Sequence, residues 1–273
     1  MKDNAMNWEQ AVLWLRSQPD QNELVRACFY DDPLIEAAQR YYESGEWRAL
    51  RKLLPGKPAR ALDVGAGRGI SSYALARDGW KVAALEPDPS AVVGAEAIRS
   101  LSREAGLDVQ VVQEWGERLP FPDASFDLVC CRQSLHHAQD LRQLCREIGR
   151  VLRSGGVFIA TREHVISCKE DLAAFLRSHP LHHLYGGENA YLLSEYKDAI
   201  ESGGIGLTRV LNPLQSEINL YPETLMGVKR RLARQVAFPF PRVIPDFVLA
   251  MLGGLINHPG RLYSFVGIRR SHG

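Results

Sequence analysis

Apolar and polar positions change their period along this chain. Between residues 7 and 55 apolar side chains recur at helical spacing, as in Ile35, Ala38 and Tyr42, and that spacing lines one face of a helix. Asp32-Pro33 reads as the start of this helix, a capping Asp followed by Pro at the first helical position. Pro55-Gly56-Lys57-Pro58 breaks the pattern and marks the clearest boundary. Beyond it, short apolar runs alternate with helical stretches. Ala61–Val64, Lys81–Glu86, Val109–Val112, Phe126–Cys131 and Val157–Thr161 read as strands, with helices over about 69–78, 88–105 and 139–152. The last of these helices stops at Ser154-Gly155-Gly156. Such alternation predicts an α/β, doubly wound, parallel sheet with helices on both faces.

After residue 163 the order loosens. A helix near Glu195–Ser202 ends at Gly203-Gly204, Leu207–Leu211 looks like a strand, and Leu262–Ile268 is the final one. About fifty residues separate those two strands, far more than a hairpin needs. This insertion opens with the amphipathic stretch Glu223–Ala237, where Leu225, Val228, Leu232 and Val236 share a face and Lys229, Arg230, Arg231 and Arg234 lie away from it or on its flanks. Phe238-Pro239-Phe240-Pro241 and the apolar run Phe247–Ile256 follow. That run falls well short of the ~20 residues needed to span a bilayer. The plainer reading is a helical lid over an active site; the rival is peripheral membrane contact through 223–256. The expected organisation is therefore a helical N-terminal cap (1–55), a core (56–214), a lid insertion (215–260) and a last core strand (261–273).

Composition adds mainly exclusions. Lys plus Arg total 33 against 32 Asp plus Glu, so no bulk basic field argues for nucleic acid. The first residues carry acids and no apolar run of a signal peptide, which predicts a cytoplasmic protein. Cys28, Cys130, Cys131, Cys145 and Cys168 form no Cys-x-x-Cys pair and no zinc-type spacing, and read as reduced structural thiols.

The first candidate for chemistry is Asp63-Val64-Gly65-Ala66-Gly67-Arg68-Gly69, between a strand and a helix. Glycines there let the backbone turn sharply and approach a ligand, while the helix start offers unpaired N–H groups. A dinucleotide fingerprint would want glycine where this chain has Ile70. Glu86, ending the next strand, can accept both hydroxyl protons of a ribose. It indicates a nucleoside without saying which.

Taken with Glu86-Pro87-Asp88, Leu119–Val129, Leu135-His136-His137 and Glu147–Gly156, in that order and at tight spacing, the loop resembles the small-molecule branch of class I methyltransferases that use S-adenosylmethionine (SAM). The resemblance covers roughly 100 residues. It implies a Rossmann-like, seven-stranded, mostly parallel sheet with an antiparallel last strand, SAM as cofactor, and a small-molecule or glycan-type acceptor, most simply a hydroxyl.

Carried over by position, Asp63, Gly65, Ala66 and Gly67 would lie at the amino-acid end of SAM, and Glu86 and Pro87 at its ribose. Gly116 and Glu117 would run past adenine. Arg132, Gln133 and His137 follow the fourth strand, where the reactive methyl points. One departure stands out: Trp115 occupies the place where relatives carry an aspartate that contacts the adenine amino group. His136, His137 and His164, at or just beyond strand ends, are candidate bases for a hydroxyl acceptor.

Tyr41 and Tyr42 of the cap are candidate pocket residues, as are His182, His183, Tyr185, Glu188 and Asn189 in the loop 179–191. The spacing of histidines and Glu in that loop matches no standard metal site, so no metal is expected. Two rival functions remain open on the sequence: a nicotinamide-type oxidoreductase, disfavoured by Ile70, and a non-catalytic SAM-binding or regulatory protein.

Overall fold

The computed structural model describes residues 6–271. Four helices come first: α1 (Trp8–Arg16), α2 (Asn22–Ala27), α3 (Leu34–Tyr42) and α4 (Gly45–Arg51). The alternating core follows as β1 (Arg60–Val64), α5 (Ile70–Arg77), β2 (Lys81–Leu85), α6 (Ala95–Ala105), β3 (Val109–Val112), β4 (Phe126–Arg132), α7 (Leu141–Val151) and β5 (Leu152–Ile166). Then come α8 (Asp171–Ser178), α9 (His182–Tyr185), β6 (Tyr191–Leu192), α10 (Leu193–Ser202) and β7 (Ile205–Leu211). The insertion holds α11 (Leu225–Gln235) and α12 (Asp246–Leu255), and β8 (Arg261–Arg269) closes the chain.

The strands order as β3-β2-β1-β4-β5-β8-β7, with the short β6 beside β5. All neighbours are parallel except β8, which runs antiparallel to both β5 and β7. This is the doubly wound, mostly parallel sheet that the alternation and the resemblance predict, with β6 as an addition. Its central strands are buried on both faces, which is why β4 reads as one apolar run. One face packs against α7 and α10 through Leu144, Ile148, Tyr196 and Ile200. The other packs against α3, α4 and α5 through Tyr41, Trp47, Tyr73 and Leu75. Where α7 meets the end of α10, a Cβ on Gly149 would lie 1.8 Å from the carbonyl oxygen of Gly203, so only glycine permits this approach.

Three local expectations differ from the structure. Pro33 stands at the N-cap of α3 and no side chain caps that helix; Asp32 is drawn instead to Arg16 and Arg68. The second core helix begins at Ala95, not near residue 88, because Asp88 Oδ1 accepts the Ser90 N–H and Ser90 Oγ accepts the Val92 N–H. Such side chains hold the backbone in turns at the expense of helix. Ser154-Gly155-Gly156 lies inside β5 as an irregularity: Phe126 pairs with Leu152 but Leu128 with Val157, and Gly155 absorbs the extra residues at a φ of 74°.

Candidate active site

The glycine loop leaves β1 with φ values of 67° at Gly65, 53° at Gly67 and 83° at Gly69. These lie in the left-handed region that favours glycine. A Cβ on Gly65 would also fall 2.6 Å from Cβ of Ser134, just after β4, so the loop and the end of β4 can meet only here as glycine. Ser134 Oγ donates to the Val64 carbonyl at 2.8 Å and fastens the two strand ends together.

Two carboxylates flank the loop. Asp63 is buried and accepts the Ser72 hydroxyl at 2.6 Å; burial pushes its pKa up to about 6. Glu86 is also buried, with Oε2 accepting the Gly67 N–H at 2.7 Å and Oε1 accepting the Asp88 N–H at 3.0 Å. Burial raises it to about 7, against the pull of those two donors. Each oxygen keeps a lone pair free, so the carboxylate can still accept from a diol.

Two adjoining cavities open on this strand-end face. An outer cleft is lined by Glu86, Pro87, Trp115, Gly116 and Glu117. An inner cavity holds Asp63, Ala66 and Gly67 at one end and a histidine cluster at the other. Gly65, Gln133, His137, Trp8 and Tyr185 line both, so the two spaces meet at them. Crevices at the carboxyl ends of parallel strands are where doubly wound folds bind ligands. Trp115 stands 57% exposed at the rim of the outer cleft, while Glu114 accepts the Trp115 N–H at 2.9 Å. Glu117 is turned toward the backbone N–H of Gln139, at 2.8 Å.

The histidine cluster rests on Glu163, fully buried on β5. Its Oε1 accepts the N–H groups of Ser134 and Leu135 at 3.1 and 3.2 Å. Its Oε2 accepts the His136 N–H at 3.1 Å and faces His136 Nδ1 at 2.7 Å. One carboxylate thus fixes the turn after β4 and the imidazole it carries. On the other side, His136 Nε2 lies 3.6 Å from Glu188 Oε2. Burial alone would lower His136, but the two carboxylates outweigh it and raise the ring to about 9. Glu188 is pulled well below the usual carboxylate range, against its burial, by His136 and the neighbouring rings.

His137 and His164 go the other way. Burial, then the charge on His136, lowers His137 to about 4 and His164 to about 3, so both are neutral near pH 7. His137 Nδ1 faces the Gly187 carbonyl at 3.0 Å and His164 Nδ1 the Gly260 carbonyl at 2.9 Å. A carbonyl can only accept, so each Nδ1 carries the hydrogen and each Nε2 is left with a lone pair.

Other sequence candidates lie elsewhere. Tyr41 is buried against Phe29 and Trp47, and the Tyr42 hydroxyl donates to Asp78 at 2.9 Å; neither lines either of these two cavities. Core packing took these rings. His182, His183 and Asn189 also fall outside both cavities, and exposed His183 donates to the Arg177 carbonyl at 2.6 Å. Arg132 reaches the inner cavity but is clamped by Glu46 at 2.7 and 3.0 Å. Tyr185 and Glu188 are brought together, the tyrosine hydroxyl donating at 2.5 Å. Sequence reading missed Glu163, His179, Trp8 and Tyr30. For Glu163 a signal existed: an acid between Arg162 and His164, just past the apolar run Val157–Ala160 and before Val165-Ile166.

The insertion does not reach the cavities. No residue of 215–260 lines either one. Its base is tied to the sheet by Ser264 Oγ, which donates to Asn219 Oδ1 at 2.6 Å, and by Arg162, which donates to the Ile218 carbonyl at 3.1 Å. Leu249 is fully buried and Lys229 pairs with Asp246 at 2.6 Å, whereas Phe238, Phe240, Phe247, Met251 and Leu255 are exposed.

With this geometry in hand, the chain can be set beside known proteins. Residues 62–160 match a family described as "Methyltransferase domain". The chain carries there a class I, SAM-dependent methyltransferase domain. It is 38% identical over 134 residues to the sarcosine/dimethylglycine N-methyltransferase of Halorhodospira halochloris, covering 48% of this chain and 46% of that one. It is 37% identical over 119 residues to a ubiquinone biosynthesis O-methyltransferase of Xanthomonas campestris pv. campestris (strain B100), covering 42% and 47%. The chain thus spans less than half the length of these curated relatives. A solved geranyl diphosphate methyltransferase in complex with SAM superposes with a TM-score of 0.59 at 17% identity, over 97% of this chain and 96% of that one, and shows the same fold.

Proposed function

We propose that this protein binds SAM across the two cavities and transfers its methyl group to a small-molecule acceptor, most simply through a hydroxyl oxygen. The observation that carries this reading is the junction at Gly65, Gln133 and His137. On one side lies a buried carboxylate suited to a ribose diol; on the other lies a cavity lined by neutral imidazoles. SAM supplies an activated methyl group when bound, so the chain's task is to align the acceptor and receive its proton. Asp63 and Gly65 would orient the amino-acid end, Glu86 the ribose, and Trp115 the adenine face. His137, with a free Nε2 where the cavities meet, is the best-placed base, and His164 sits deeper. His136, held between two carboxylates, serves instead to position the cluster.

The test is calorimetry with S-adenosylhomocysteine, followed by transfer of a labelled methyl group to a panel of hydroxyl, amine and carbon acceptors. Micromolar binding with label on a hydroxyl supports the reading. Tight binding with no label on any acceptor favours a non-catalytic SAM-binding protein instead.

The insertion carries a second part of the proposal, peripheral contact with an anionic lipid surface. The exposed Phe238, Phe240, Phe247 and Met251 lie on the same insertion as Arg230, Arg234 and Arg242, which have no carboxylate partner among the described residues. Exposed aromatics with unpaired arginines suit such a surface. A lid would need these side chains covered. No described helix is long and apolar enough to cross a membrane, and we place the protein in the cytoplasm, without a nucleic-acid partner.

A further inference from the structure

We infer that His136, His164 and Glu188, with His179 beside them, form a binding site for one divalent transition-metal ion at the inner end of the acceptor cavity. One donor atom from each of the first three lies within 4.8 Å of the others. Ligands about 2.0–2.1 Å from a tetrahedral zinc ion stand roughly 3.4 Å apart. His136 Nε2 and Glu188 Oε2, at 3.6 Å, already stand near that spacing, and His179 Nε2 is 3.8 Å from the same oxygen. Closing the set therefore takes side-chain shifts of about an ångström.

The surroundings of these rings are those of metal ligands. His136 is bonded through Nδ1 to Glu163, and His164 through Nδ1 to the Gly260 carbonyl. His136 thus turns Nε2 toward Glu188, and the nitrogen that His164 leaves without a backbone partner is Nε2. A carboxylate or carbonyl behind each imidazole is the usual outer support of a metal-bound histidine. The other oxygen of Glu188 is held by the Tyr185 hydroxyl. His179 Nδ1 is buried and without a hydrogen-bond partner, so that ring is free to turn its other nitrogen into a fourth position.

The donor set selects the ion. Imidazole-rich sites with one carboxylate suit zinc, iron or cobalt, whereas magnesium and calcium prefer all-oxygen shells. The placement also explains why spacing in the loop 179–191 predicts no metal: two ligands come from the ends of β4 and β5, and only two from that loop. An ion would pin the loop to the sheet. On the methyl-transfer reading, on which this last clause rests, an ion held by His136, His164 and Glu188 without His179 would leave its fourth position for an acceptor oxygen, in the cavity that Asp63 and Gly65 also line.

The experiment uses the untagged 273-residue chain, stripped of metal and titrated with Co2+, then with competing Zn2+. Expected are one equivalent of bound Co2+ with visible absorption, its displacement by Zn2+, and affinity at least about 100-fold weaker in Glu188→Gln and His164→Gln. Melting curves establish that the variants fold. His179→Gln, at the cavity edge, gives an independent reading and is expected to alter the Co2+ spectrum. No Co2+ uptake by the wild type, or equal uptake by folded Glu188→Gln, overturns the site. S-adenosylhomocysteine binding is measured in parallel. Binding of it without Co2+ uptake overturns the ion site alone; Co2+ uptake without it supports the ion site and overturns methyl transfer.

Discussion

Glu86 offers the sharpest test of the cofactor reading. In Glu86→Gln the side chain keeps its shape, but one end becomes an amide donor. Both oxygens of Glu86 already face backbone donors, Gly67 at 2.7 Å and Asp88 at 3.0 Å, so the amide opposes one of them and the variant accepts poorly from a diol. Hydrogen bonds to a charged group contribute about 1.5–3 kcal/mol, and each 1.4 kcal/mol is a factor of ten. Affinity for S-adenosylhomocysteine should therefore fall roughly 10- to 150-fold. The pH dependence gives a second handle. Only the ionised carboxylate accepts from both hydroxyls, and burial has raised Glu86 to about 7. Affinity should be full above that pH and decline below it, and Glu86→Gln should lose this dependence. Folding of the free protein runs the opposite way. A carboxyl raised in the fold stabilises it below the ordinary carboxylate range, and that contribution is lost as pH rises through about 7. Calorimetry between pH 5.5 and 8.5, with urea melts of the free protein, separates the two. Unchanged affinity in Glu86→Gln at pH 8 would remove Glu86 from the ribose role.

Three further outcomes are expected. Glu163→Ala strips the buried partner from His136 and from three backbone N–H groups, so urea unfolding should show a loss of about 3–5 kcal/mol; a loss under 1 kcal/mol would contradict its anchoring role. His137→Gln should lower kcat on a hydroxyl acceptor by about 10²- to 10⁴-fold with near-normal affinity for S-adenosylhomocysteine, and an unchanged kcat would assign proton removal elsewhere. For the insertion, the chain should co-sediment with phosphatidylserine vesicles at low salt and release at high salt, since each basic residue contributes roughly 1 kcal/mol at an anionic surface. Replacing Phe240 and Phe247 by Ser should abolish it, and wild type that stays in the supernatant at low salt overturns the membrane reading.

The sheet was legible because its parallel strands are buried on both faces and so stand out as short apolar runs between helical stretches. Each such strand also ends at a turn where glycine, Glu86 or a polar pair faces the ligand side. What escaped reading was local competition. Ser90 and Asp88 delayed a helix that propensity alone would start earlier, and Asp32 left its capping place for two arginines distant in sequence. The partners that decide such cases are far along the chain, and periodicity contains no information about them.

The cofactor side and the acceptor side differ for the same reason. The glycine loop and Glu86 lie on consecutive strands, and local geometry dictates what each can do, so residue type and order suffice to place them. The acceptor end is assembled from Trp8 on α1, the turn after β4, the end of β5 and the loop 179–191. Within that loop, chemistry alone did not separate residues that enter the cavity from those that leave it: Tyr185 and Glu188 turn in, while exposed His183 turns out to the Arg177 carbonyl. Glu163 shows the cause. It is invisible as a ligand contact, yet it sets the direction of His136 and the turn that carries it, and so decides which neighbouring side chains can meet in the cavity. A buried acid in an apolar strand is costly unless several donors surround it. Finding one at the ligand end of a strand is therefore a reason to look there for the imidazole that it orients.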